Sequence, residues 1–396
     1  VATAVLIALG LFAAALGLWA AWRARATALL LLATAAIASA AIVFVGSPWV
    51  DAKALSTVAP VVLALAVAGA VAALRLDRPT GAALLALLAA GVLWSNVLAY
   101  GGANLAPHGQ LKELERIGGE LAGQGPALMT EYNPYGARHF LRALDAEGAS
   151  ELRVRPVRLR GGGTAEKGEA PDVDQIDHGS LLEYRTLVLR RSPVRSRPPW
   201  PYRLAWSGRY YEVWQQPLQT AGLPPEHLPL GDGLRPAAVP SCSEVKGLGL
   251  LAITHGATDV RLLGARHGVA LDATAGSLEV PRSGSYEAWL LGSVRGRVDL
   301  YVDERRVGGV RHHLSNEGGF VPLGTARLRR GPHPVRLDFG GADLHPGSAG
   351  FPRPPTGPLL FAPVGEGAGR VVSVPLSDAA RLCGRPWDWI EAVGGG

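Results

Sequence analysis

Lysine, methionine and cysteine are scarce in this sequence, and charge is nearly missing from its first quarter. Only four lysines, one methionine and two cysteines occur among 396 residues. Two cysteines cannot make a disulfide framework, nor a cysteine-based zinc site, which needs about four ligands. No concentrated basic patch is present either. The first hundred residues hold five basic and two acidic side chains, the remaining 296 hold 34 and 31, and each part therefore carries +3. Charge so evenly balanced over the larger part excludes the electrostatic footprint of a nucleic-acid binder.

Catalytic and cofactor signatures are absent as well. Gly161-Gly162-Gly163 is followed by no Gly-Lys-Ser/Thr and by no clear helix, so it is not a phosphate loop. No Gly-x-Ser-x-Gly elbow marks a serine nucleophile. Neither a cofactor nor a metal is implied. His312, His313 and His345 lack the companion spacing of a metal site and are expected to be solvated or hydrogen-bonded.

What the first hundred residues do have is four apolar runs, at about 1–22, 26–46, 56–75 and 80–100. Each approaches the roughly 20 residues needed to cross a hydrocarbon core about 30 Å thick. The chain starts inside such a run, at Val1, without the basic start of a signal peptide. We therefore expect four transmembrane helices belonging to the C-terminal part of a longer protein. Arg23 and Arg25 mark the first connection, Arg75 and Arg78 the third, whereas Gly46–Leu55 carries one Asp and one Lys. The positive-inside rule puts the first and third connections in the cytoplasm. Residues 101–396 then lie outside it, and Val1 starts outside, with an odd number of helices before it.

Beyond Tyr100 the periodicity changes. Leu111, Leu114, Ile117 and Leu121 predict an amphipathic helix over His108–Gly123. Strands are expected at Ala127–Tyr132, Leu152–Leu159, Thr186–Arg190, Tyr202–Trp206 and Tyr210–Trp214, with a second helix near Arg138–Leu144. Helix and strand intermixed predict an extracytoplasmic α/β domain over 101–218, in which Gly161–Asp177 is a surface loop. A proline-rich linker follows over 219–240. Short apolar segments between glycine-rich turns then predict an all-β sandwich over 241–392, its strands beginning with Gly249–Thr254 and Asp259–Leu263. Cys242 opens this domain and Cys383 nearly closes it. In an oxidising compartment they are expected to form a disulfide joining the first strand to the last.

Two resemblances extend this reading. Gly284-Ser285-Tyr286-Glu287-Ala288-Trp289, Gly296–Asp303, Gly318-Gly319-Phe320 and Leu328–Leu337 resemble the strand and turn motifs of jelly-roll carbohydrate-binding modules. That resemblance covers about 276–340 and implies a jelly-roll fold more strongly than sugar binding. Multi-pass helices followed by an α/β piece and a jelly roll resemble the C-terminal part of bacterial C-type glycosyltransferases, notably the cell-wall arabinofuranosyltransferases. Gly46–Leu55 and Tyr202–Trp214 look like segments of uncharacterised bacterial membrane proteins with this layout. In the glycosyltransferases the catalytic carboxylate lies in an earlier extracytoplasmic loop, so the resemblance assigns no catalytic residue here.

Candidate sites follow from chemistry. Trp49, Asp51 and Lys53 put an aromatic and two charges at the outer interface, where a lipid-linked phosphate or sugar could bind; a plain interfacial Trp anchor is the commoner arrangement. Glu131, Tyr132, Tyr135, Arg138 and His139 follow a strand, a usual ligand position in α/β folds. Among the sandwich aromatics Tyr286, Trp289, Tyr301, Phe320, Trp387 and Trp389, Tyr286 and Phe320 are the candidate sugar-stacking rings. The expected partners are membrane lipid and a lipid-linked sugar or cell-envelope glycan, with no nucleic acid. The rival expectation is a scaffolding membrane protein whose sandwich binds another envelope protein.

Overall fold

The structure, a computed structural model, describes residues 2–102, 107–218, 226–231, 235, 237–266, 270–273, 276–313, 315–316, 318–340, 357–364 and 370–395. The chain divides into two compact units. One is built on Val1–Ala103, the other on Asn104–Asp343 with Gly347–Gly396.

The first unit is helical: α1 (Ala2–Arg23), α2 (Thr27–Ile42), α3 (Pro48–Leu76) and α4 (Arg78–Gly102). Helix α3 packs against the other three. Small side chains make the closest crossing, where Ala13 and Gly17 of α1 meet Leu65, Ala66 and Gly69 of α3. Outward, the unit presents Phe12, Trp22, Leu31, Ile37 and Leu93, all exposed. A water-soluble bundle would turn polar side chains that way. Trp49–Leu76 and Arg78–Val97 are long and apolar enough to cross a membrane, and the apolar lengths Ile7–Arg23 and Thr27–Ile42 are shorter.

One expected boundary moves. Gly46–Leu55 is not an open connection, because α3 begins at Pro48 and takes Trp49, Asp51 and Lys53 into its first two turns. Proline fits the first turn, where its missing N–H costs nothing, and Asp51 there complements the helix dipole.

The second unit opens with α5 (His108–Glu120), β1 (Ala127–Met129), α6 (Pro134–Phe140), β2 (Ala146–Gly148), α7 (His178–Leu182), β3 (Thr186–Arg190), β4 (Arg203–Ser207) and β5 (Tyr211–Gln215). These strands form one sheet in the order β2-β1-β3-β5-β4. The pairs β1–β2 and β1–β3 are parallel; β3–β5 and β5–β4 are antiparallel. Alternation along the strands separates two apolar layers. Met129, Val188 and Val213 face Leu114 and Ile117 of α5, whereas Leu128, Leu187 and Leu189 pack against Val157, Ile176 and Tyr184.

Leu152–Leu159, expected as a strand, contributes only isolated bridges at Arg158 and Leu159. The cause is local. The backbone N–H groups of Val154 and Arg155 donate to the Glu147 carboxylate, each at 2.9 Å, and are lost to any ladder.

The chain continues through β6 (Glu226–Pro229), α8 (Cys242–Thr254), β7 (Thr258–Arg266), β8 (Leu271–Asp272), β9 (Ser277–Val280), β10 (Gly284–Leu291), β11 (Val294–Val302), β12 (Arg305–His313), β13 (Phe320–Leu328), β14 (Gly331–Phe339), β15 (Leu359–Pro363), β16 (Arg370–Pro375) and β17 (Trp389–Gly395). Two four-stranded antiparallel sheets, β13-β10-β15-β8 and β12-β11-β14-β9, share one apolar core that includes Leu278, Leu290, Leu300, Val321 and Phe361. This is the sandwich. The two-residue turn Asp303-Glu304 joins β11 to β12 with both residues at positive φ, the geometry that matches strand twist in a tight hairpin.

The sandwich does not extend over all of 241–392. Strands β7, β16 and β17 leave it and pair with β6 in a third sheet, ordered β16-β7-β17-β6. Strand β6 lies in the stretch expected to be linker. Helix α8 and the 3-10 segment Leu376–Leu382 pack on this sheet through Val245, Ala252, Leu382, Trp387 and Ile390. Gly249–Thr254 is thus helix rather than strand. Cys242 and Cys383 are bonded, but the bond ties the first turn of α8 to the end of the 3-10 segment, not strand to strand.

Candidate functional site

Parallel strands β1 and β3 are neighbours, and a cavity of about 500 Å³ opens at their carboxyl ends. Ligands of open α/β sheets bind in this position because the loops there diverge and leave a crevice. Glu131 enters it just after β1, and Arg190, Ser192 and Arg195 enter from β3 and the segment beyond. The 3-10 turn Val173–Gln175 supplies Asp174 and, at its cap, Asp172. The sandwich closes the cavity with Asn316 and the start of β13 at Phe320.

These groups are held by their neighbours. Arg195 Nη1 donates to Thr130 Oγ1 at 2.8 Å, while its Nε stands 3.8 Å from Asp172 Oδ2. Burial pushes the Asp172 carboxyl up to about 6, and the Arg195 cation only partly opposes this. Tyr211 donates its O–H to Glu131 Oε2 at 2.7 Å, and burial together with the Glu131 charge drives that phenol well above its ordinary value. Asn316 Nδ2 donates to the Tyr132 carbonyl at 2.8 Å, pinning the sandwich loop to the end of β1. The Arg190 guanidinium lies 5.0 Å from the ring centre of Tyr210 and 5.4 Å from that of Tyr211. Such a cavity sets carboxylate acceptors and guanidinium donors around one space, a lining suited to a neutral ligand rich in hydroxyl groups.

The structure distributes the sequence candidates unevenly. Phe320 lines the cavity, but its ring is fully buried among Val194, Trp289 and Leu360 and offers no open face for stacking. Tyr286 belongs to the sandwich core, and its O–H donates to the Arg282 carbonyl at 2.8 Å. It is a core residue. Trp387 and Trp389 are also buried, the latter donating its indole N–H to the Arg197 carbonyl at 2.8 Å. Trp49, Asp51 and Lys53 sit in the first unit, with Lys53 Nζ 4.9 Å from the centre of an exposed Trp49 ring. Asp51 instead folds back over Gly46, where an added Cβ would lie 2.4 Å from its Oδ1. Of the residues following β1, Glu131 alone lines the cavity; Tyr132 donates to Glu151 at 2.8 Å and Tyr135 is exposed. His345 and the His312 side chain lie outside the described residues. His313 is buried beside Gln110 and Arg190, and burial with the nearby Arg190 and Arg209 cations lowers it to about 4.

Next to the cavity is a group that no local signal announced. His178 at the start of α7, His227 in β6 and Glu391 in β17 place one ligating atom each within 4.8 Å of one another. His227 Nδ1 is 2.8 Å from Glu391 Oε1, and its Nε2 is 3.5 Å from Asp174 Oδ1. Asp174 therefore touches both the cavity and this cluster. In sequence, His227 falls in the stretch expected to be linker and Glu391 in a terminal strand that carried no charge pattern of interest.

No protein-family model matches the chain, and no curated protein matches it. Among solved structures, a match is found to the GH31 alpha-xylosidase of Xanthomonas citri, at 13% identity and a TM-score of 0.14. It covers 53% of this chain and only 23% of that one, and at this TM-score it carries no argument about fold or activity.

Proposed function

We propose that this protein is a membrane-anchored glycan-binding protein of the cell envelope. Its four apolar helices span the bilayer, and its second unit recognises oligosaccharide outside the cytoplasm. One observation carries the binding reading: the cavity at the carboxyl ends of β1 and β3, in which Glu131, Asp172, Arg190 and Arg195 face one space. Ionised carboxylates accept from sugar hydroxyls, and a guanidinium donates to ring and hydroxyl oxygens with fixed geometry. The membrane reading is supported by the outward apolar faces of the helices and by the basic residues at Arg23, Arg25, Arg75 and Arg78. The Cys242–Cys383 bond fits an oxidising compartment.

The test is direct titration of the full chain in detergent with a panel of envelope oligosaccharides. Binding is expected, with Arg195→Ala and Asp172→Ala weakening it at least tenfold and Tyr135→Ala leaving it intact. A panel without a binder, or equal affinities across these variants, ends the reading.

A scaffolding role has one observation of its own. Leu250, Leu251 and Ile253 of α8 are exposed together. If they dock an envelope protein, Leu250→Asp with Ile253→Asp abolishes a cross-linked complex in intact cells and spares oligosaccharide binding.

A further inference from the structure

The geometry points to a divalent-cation site, of the zinc type, at His178, His227 and Glu391, with Asp174 beneath it. Two imidazoles and a carboxylate are a common protein donor set for zinc when a fourth position is left to water. Three distant stretches of chain supply them: α7, β6 and β17. Glu391 accepts from the Trp200 amide through Oε2 at 2.9 Å, which leaves Oε1 directed at His227.

The bond between His227 Nδ1 and Glu391 Oε1, 2.8 Å long, is the core of the site. Two donors on a tetrahedral zinc are separated by roughly 3.3–3.5 Å, given metal–ligand distances of about 2.0–2.2 Å. A cation can thus replace the shared proton with little movement of either side chain. His227 Nε2–H then turns to Asp174 Oδ1, 3.5 Å away. That is the outer-sphere carboxylate that commonly orients a metal-bound imidazole. His178 completes the set. Its Nε2 is buried and has no hydrogen-bond partner, and its ring stacks on that of His227 with centres 5.5 Å apart. A modest turn of this side chain brings the widest donor pair from within 4.8 Å to coordination distance.

Charge agrees with geometry. Asp174, Asp177 and Glu391 act on the Arg160 guanidinium, and Glu391 and Asp388 act on Arg197. The carboxylates gathered here outnumber the guanidiniums beside them, a setting that favours a cation. A bound cation would also fasten α7 and the turn carrying Asp174 to the third sheet, beside the cavity.

The experiment uses the full chain in detergent, stripped with chelator and titrated with Zn²⁺, read by metal analysis and by the thermal transition. One equivalent and a raised transition temperature are expected. His178→Gln and Glu391→Gln should each lose that equivalent, and Asp174→Asn should weaken it about 10–100-fold, as loss of an outer-sphere partner does. His255→Gln, at an exposed position, controls for adventitious binding. Co²⁺ in place of Zn²⁺ should give the intense visible bands of a four-coordinate ion, a readout independent of stability. Failure of the stripped wild type to take up stoichiometric Zn²⁺ overturns the site. So does uptake by His178→Gln equal to that of wild type.

Discussion

Gly17 of α1 and Gly69 of α3 meet backbone to backbone: a Cβ built on either would stand 2.8 Å from the other's amide nitrogen. The same added atom would lie 1.9 Å from the Leu65 carbonyl oxygen at Gly17, and 2.0 Å from that of Ala13 at Gly69. In lipid, helices associate through close packing rather than through expulsion of water, and small residues permit the approach. Gly69→Val should therefore separate α1 from α3, costing about 1–3 kcal/mol or more by overpacking. Gly91, with open space around it, is the control, and Gly91→Ala should be neutral or slightly stabilising. Thermal unfolding of both variants in detergent checks the contrast.

The Cys242–Cys383 bond closes a loop of 141 residues. Reduction, or Cys383→Ala with Cys242→Ala, should cost about 2–5 kcal/mol. The effect should concentrate where α8 meets the 3-10 segment Leu376–Leu382, so hydrogen exchange in Cys242–Thr254 should rise before that of the sandwich strands. Thiol labelling of the native chain should find no free cysteine until reductant is added.

Asp172 should give the cavity a pH dependence. Its folded-state pKa of about 6 lies above the ordinary carboxylate value, chiefly through burial. Raised in this way, the group favours the folded state fully below its unfolded value of 3.8, and that contribution disappears as pH climbs through 6. Asp172→Asn should then match wild type near pH 4 and exceed it in thermal stability above pH 7. Oligosaccharide affinity should move the other way, rising between pH 5 and 7 as the carboxylate forms, and be flat in the variant.

Glu147 gathers several donors of the α/β domain. Its carboxylate, almost fully buried, accepts from the amides of Val154 and Arg155, from the Arg155 guanidinium and from the Tyr184 O–H at 3.1 Å. Glu147→Ala strands these donors and should cost about 3–5 kcal/mol. Glu147→Gln keeps an acceptor and should cost about 1–3 kcal/mol. Denaturant titration followed by tryptophan fluorescence separates the two.

Much of the architecture could be read locally. Uncharged runs announced α1 to α4, and alternation with turn residues located most sandwich strands, Ser277–Val280 to the residue, as it did Thr186–Arg190 in the α/β sheet. Failures also have local causes. Gly249–Thr254 is apolar and partly β-branched and so resembles a strand, but the capping box Ser241/Glu244 just upstream is the helix signal that outweighs it. Strand β12 hides behind Arg305, Arg306, Gly308 and Gly309; the two glycines let it approach Leu323 and Val298 closely. The stretch Gly161–Asp177 reads as a surface loop because Asp and Gly dominate it, and only tertiary packing turns Asp172 and Asp174 inward.

Chain composition alone determined that the first hundred residues form apolar helices and that sandwich strands follow, because hydrophobic period and turn chemistry are properties of neighbouring residues. It could not determine that β6, β7, β16 and β17 leave the sandwich to build a third sheet, nor that Glu131, Asp172 and Arg195 share one cavity. His227 and Glu391 stand 164 residues apart and meet at 2.8 Å. Contacts of that kind depend on which sheet edges pair and which loops close over them, and this is decided by the packed core of the whole unit.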